Sequence, residues 1–155
     1  MIIVYSSKSG SSMRYARDLS DRIGLSCYSI SESYPKDENI VFFGWLRKDT
    51  VVGIDSVDRS RLKAVGVVGL DSEGRFDKGA IADRNSLSVP IYYLRGWIDR
   101  SKLNVLDKCV LLAVSVMMKL QGLNEFNKPI FDAMMDGGSF YDPKYLDSIE
   151  QFIRS

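Results

Sequence analysis

Four short stretches of this chain are apolar on consecutive residues instead of alternate ones. They are Ile2 to Ser6, Ile40-Val41-Phe42-Phe43-Gly44, Ala64 to Leu70, and Val89 to Leu94 with Pro90 at its start. A strand with one wet face alternates apolar and polar residues, whereas a strand buried on both faces does not. Such runs belong in a parallel sheet with helices over both faces. A fifth, shorter run, Cys27 to Ile30, suits a strand near an edge. The internal Gly66 weakens the run Ala64 to Leu70 locally and marks a place for close packing.

The segments between these runs carry a different period. Ser12 to Ile23 sets Met13, Ala16, Leu19 and Ile23 at helical spacing, and Gly24 follows as a stop. Leu46 to Gly53 reads as a loop, Ser56 to Lys63 as a short helix and Asp77 to Asn85 as a weak one. The last third is helical: Leu103 to Leu120, Asn127 to Met135, and a final helix opened by Asp142-Pro143. Strands alternating with helices define a βαβ array with right-handed crossovers. The expectation is one α/β domain over residues 1–155. No repeat or linker interrupts it.

Bulk composition excludes several functions. With 21 basic and 20 acidic residues the net charge is +1, which gives no reason to expect nucleic acid as a partner. Histidine is absent and there are two cysteines, Cys27 and Cys109. That removes Ser-His and Cys-His catalytic pairs and a thiolate zinc cage, so no metal site is expected. Any chemistry would fall to a cofactor. The chain starts on a strand without signal-peptide features, so a cytoplasmic location is expected. The longest apolar run, Cys109 to Met118, is too short to span a bilayer. Its residues Val110, Leu111, Val114, Met117 and Met118 are expected in the core. Both cysteines are expected to be buried and inert.

A sheet of this kind binds ligands at the carboxyl ends of its strands, where strand order reverses. There the sequence places Tyr5-Ser6-Ser7-Lys8-Ser9-Gly10-Ser11-Ser12, with five serines in eight residues. Their hydroxyls and the amides of the following helix start suit a phosphate, and Gly10 permits a tight turn around it. A serine-rich N-cap for the helix, with Ser12 capping, fits the same residues. Neither the GxxxxGK[ST] pattern nor a three-glycine dinucleotide fingerprint is present.

The spacing Ser7-x-Ser9-Gly10-x-Ser12 resembles the flavodoxin phosphate loop, T-x-T-G-x-T, with serine for threonine. The resemblance implies a three-layer sandwich with strand order 2-1-3-4-5 and flavin mononucleotide (FMN) as cofactor. It implies Ser7, Lys8, Ser9, Gly10, Ser11 and Ser12 as phosphate binders. It places Trp45, Leu46 and Arg47 after the third strand beside the flavin ring, although Trp45 equally suits the core next to Phe43. It assigns Gly69, Leu70, Asp71 and Gly74, after the fourth strand, to the ring's pyrimidine edge, although the same residues suit a plain surface turn. The segment Tyr92 to Leu103 and the tail Gly137 to Asp142 resemble the branch containing flavodoxin-like protoporphyrinogen oxidases. Implied functions are electron transfer to a redox partner protein or small acceptor, or a small flavin-dependent oxidoreductase. The alternative is a binding or regulatory module of the same fold without flavin. The balanced charge departs from strongly acidic electron shuttles. A response-regulator receiver is excluded, because Ser6-Ser7 and Gly44-Trp45 stand where it needs acidic residues.

Overall fold

In the computed structural model, which describes residues 1–72 and 75–155, the apolar runs lie side by side. Strands β1 (Ile2–Tyr5), β2 (Cys27–Ser29), β3 (Ile40–Arg47), β5 (Leu62–Gly69) and β6 (Ile91–Arg95) are mutually parallel. Their order is β2-β1-β3-β5-β6. Counting only these five gives the expected 2-1-3-4-5 arrangement of a flavodoxin-like three-layer sandwich. A two-residue strand, β4 (Thr50–Val51), pairs antiparallel with the end of β3.

The pleat sorts each strand between two cores. Ile2, Val4, Phe42, Val65 and Val67 point to one face, where Ile81 of helix α2 (Lys78–Arg84) and Ile54, from the connection before β5, cover them. Ile3, Val41, Phe43, Ala64 and Val68 point to the other. There they meet Tyr15, Ala16 and Leu19 of α1 (Ser11–Ile23), Leu146, and Ile149 of α5 (Asp147–Arg154). Burying each large side chain is worth about 1.5–3 kcal/mol, so the two faces together anchor the sheet. Gly66 is the expected close approach: a β-carbon there would lie 2.6 Å from the Phe43 ring.

Three expectations change. The segment read as a loop from Leu46 to Gly53 is a hairpin, because β3 continues through Arg47 and turns at Lys48, whose φ is 54°. The helix read at Ser56 to Lys63 is two 3₁₀ turns, Ile54–Ser56 and Arg59–Arg61, after which β5 begins at Leu62. The largest change lies in α3 (Val105–Gln121). It packs on α4 (Lys128–Asp136) but leaves Val110, Val114 and Met117 exposed, and Cys109 is exposed with them. A helix with apolar residues all round cannot bury every face against a single neighbour. The α3–α4 hairpin joins the domain through a small ribbon of β7 (Trp97–Ile98) and β8 (Gly138–Ser139). No described helix is long and apolar enough to cross a membrane.

Candidate functional site

The loop after β1 is built by backbone hydrogen bonds and one glycine. Ser6 N–H donates to Phe43 O at 2.8 Å, tying the loop to β3. Gly10 N–H donates to Ser7 Oγ at 3.1 Å and closes it. Gly10 has φ 100°, a left-handed conformation that glycine adopts without penalty, and occupies the N-cap of α1. The expected capping by Ser12 does not occur, because Ser12 lies inside the first turn. The first intrahelical bond runs from Arg14 N–H to Gly10 O. The amides of Ser11, Ser12 and Met13 precede it, at the positive end of the helix dipole, and have no acceptor among the described residues. Ser11 is 5% exposed and Ser12 0%, and Ser12 Oγ is buried without a hydrogen-bond partner among the described residues. Such a group costs about 1–3 kcal/mol unless something satisfies it.

Two side chains from beyond β6 close over this loop. Trp97 Nε1 donates to Ser9 O at 3.0 Å, and Ser9 Oγ donates to Trp97 O at 3.4 Å. A β-carbon on Gly10 would lie 3.4 Å from both Lys102 Nζ and the Trp97 ring, so both groups sit directly against the turn. On the other side, Lys8 Nζ is 2.5 Å from Asp107 Oδ1 and 5.8 Å from the centre of the Trp45 ring. The hydrogen bond from Lys8 holds the Asp107 carboxyl below its ordinary range. Trp97 and Lys102 are site residues that sequence reasoning missed. Their signal was the aromatic and basic stretch Tyr92 to Leu103, which no local pattern connects to a loop some ninety residues earlier.

The structure brings Trp45 to the mouth of the loop but separates the two residues after it. Leu46 packs on the apolar core and pairs with Val51, whereas Arg47 pairs with Thr50 and is exposed. The loop after β5 is held from β6: Arg95 Nη2 donates to Leu70 O at 3.2 Å, and Tyr93 Oη donates to Asp71 O at 3.0 Å. Gly69 lies against the Tyr93 ring. Gly74 lies outside the described residues. Arg95 also stacks on Phe140, 4.0 Å from guanidinium carbon to ring centre, and its buried Nε has no partner among the described residues. Ser12 Oγ and Arg95 Nε, two unpartnered buried polar atoms, therefore belong to elements at the same carboxyl end of the sheet. Among the described residues no cluster of acidic or cysteine side chains could hold a metal. A separate groove of about 660 Å³ between Phe76, Lys78, Tyr92 and Lys144 includes no residue of the serine loop.

Comparison with models of known protein families and with curated proteins gives no match. The flavodoxin-like fold and the geometry of the loop are what bear on function.

Proposed function

We propose that the loop Ser7–Ser12 binds the terminal phosphate of FMN without a covalent bond, and that the chain is a flavin redox protein. The observation that carries this reading is the buried Ser12 hydroxyl, without a partner among the described residues, in the first turn of the helix that left-handed Gly10 caps. An oxyanion in the turn would satisfy both that hydroxyl and the free amides of the first helical turn. Ser7 and Ser9 supply further hydroxyls, and Lys8 and Lys102 place positive charge on either side. Trp45 offers its face to the ring, and the tethered backbone of Leu70 and Asp71 offers carbonyl and amide groups to the ring edge. The bound flavin would supply electron transfer; the chain's own residues orient it and set the charge and hydrogen bonds around it.

Purified protein should be yellow, and apoprotein should quench the fluorescence of added FMN. Ser12→Ala should weaken FMN about 10–100-fold, the worth of one hydrogen bond to a charged group. Colourless protein that quenches no flavin would overturn the reading and favour a binding module of the same fold. Reduction of the bound flavin by a reductase alone marks an electron carrier. A requirement for an organic substrate marks an oxidoreductase.

A further inference from the structure

Strand β6 ends the sheet on one side, and no strand pairs with its far edge among the described residues. It is five residues long, against three for β2 at the opposite end. Consecutive residues of a strand point to opposite faces. Tyr93 packs with Phe76 on one face, their ring centres 4.3 Å apart, and Tyr92 packs with the other core. Both tyrosines nevertheless line the groove of about 660 Å³. A groove that reaches both faces at the last strand runs across its free edge. Val65 N–H donates to Pro90 O at 3.0 Å and Gly96 N–H donates to Gly69 O at 2.8 Å, so Pro90, Tyr92, Leu94 and Gly96 bond toward β5. Ile91, Tyr93 and Arg95 alternate with them and turn their amides and carbonyls outward. Arg95 O accepts from Tyr15 Oη at 2.6 Å. The amides and carbonyls of Ile91 and Tyr93 have no partner among the described residues.

Backbone and charge together select the occupant. A row of alternating donors and acceptors is complemented by another extended backbone, whereas a nucleic acid or an inorganic anion engages the donors alone. The groove's two banks lie on opposite faces of the sheet and each carries a lysine: Lys78 at the start of α2, and Lys144 in the 3₁₀ turn Pro143–Leu146. Arg75 adds a third cation to the lining. None of the three has a carboxylate partner among the described residues. Asp77, the carboxylate of the lining, accepts from Ala80 N–H at 3.0 Å as the cap of α2. The strand itself is uncharged from Ile91 to Leu94. A second copy pairing edge to edge would bring the same cations to the seam, and like charge opposes it. We infer that the β6 edge docks an extended acidic segment of another protein, which adds to the sheet as a further strand. Its side chains alternate between the banks, so two adjacent acidic residues meet Lys78 and Lys144 in turn. The site shares no residue with the serine loop and does not depend on flavin.

The test titrates the peptide acetyl-Thr-Val-Asp-Glu-Val-Thr-amide into the isotope-labelled full chain and follows its amide resonances. The Ile91 and Tyr93 amides should shift and gain protection from hydrogen exchange. Lys78→Glu/Lys144→Glu should bind the peptide about tenfold or more weakly, and should instead bind the peptide carrying Lys-Lys in place of Asp-Glu. Both lysines are exposed, so circular dichroism of the variant should match the parent. Proline in place of both valines removes backbone donors and should also weaken binding about tenfold or more. No binding of the acidic peptide, equal binding by the double variant, or binding that leaves the Ile91 and Tyr93 amides unmoved would each overturn the inference. So would a thymidine hexanucleotide that binds more tightly than the peptide, which would assign the groove to nucleic acid. Self-association that protects the same two amides would overturn it in favour of a second copy.

Discussion

The loop after β1 and the outer face of α3 reverse the usual rule of burial in opposite directions. In the loop, Ser11 and Ser12 are buried, one of them with an unsatisfied hydroxyl. On α3, leucine, valine and methionine side chains stand in solvent. Buried polar groups and contiguous exposed apolar groups are the informative exceptions in a folded chain. Each costs free energy in the isolated domain, and each would be relieved by something that binds. The loop is short and polar, with five serines between Ser6 and Ser12. The helix face is broad and apolar.

The sharpest way to break this comparison is to remove a side chain from each region. Phe42→Ala, in the sheet core, should cost about 3–5 kcal/mol in urea unfolding. Leu120→Ala, at an exposed position of α3, should change stability by no more than about 0.5 kcal/mol. Similar losses at the two positions would mean that α3 has a partner within the domain. Ser12→Ala tests the loop from the other side. With no anion present it should leave stability unchanged or raise it by up to about 1 kcal/mol, because it deletes an unpaired buried hydroxyl. A clear loss of stability would show that the hydroxyl has a partner within the fold.

The two cysteines sharpen the contrast further. Cys109 lies on the exposed face, whereas Cys27 is half-buried in β2, where burial pushes its thiol up to about 11. Iodoacetamide at neutral pH should modify Cys109 about tenfold or more faster than Cys27. The unfolded chain ionises Cys27 near its ordinary value of 9.0, and the folded chain does so near 11. The folded state therefore loses stability from Cys27 as pH rises between those values. Cys27→Ala should flatten that part of the pH profile.

The sheet was legible because both-face burial leaves continuous apolar runs, and its strand order followed from the resemblance. The serine loop was legible because its residues are contiguous. Trp97 and Lys102 were not, because only the tertiary fold brings a strand exit back over the first loop. Leu46 was misplaced because nothing local shows that β3 runs on into a hairpin. The stripe on α3 was misread because apolar periodicity reports which residues avoid water, not whether the domain supplies a surface to cover them. Cys109 went wrong with it.

The loop's proposed role rests on phosphate, so the most direct measurement compares two ligands that differ by that group alone. Titrating apoprotein with FMN and with riboflavin, and following flavin fluorescence, separates the loop's contribution from that of the ring. Several charge-assisted hydrogen bonds predict that FMN binds about 100-fold or more tightly than riboflavin, with Ser12→Ala narrowing the gap. Equal affinity for the two, or none for either, would contradict the assignment of Ser7–Ser12 as an FMN phosphate site.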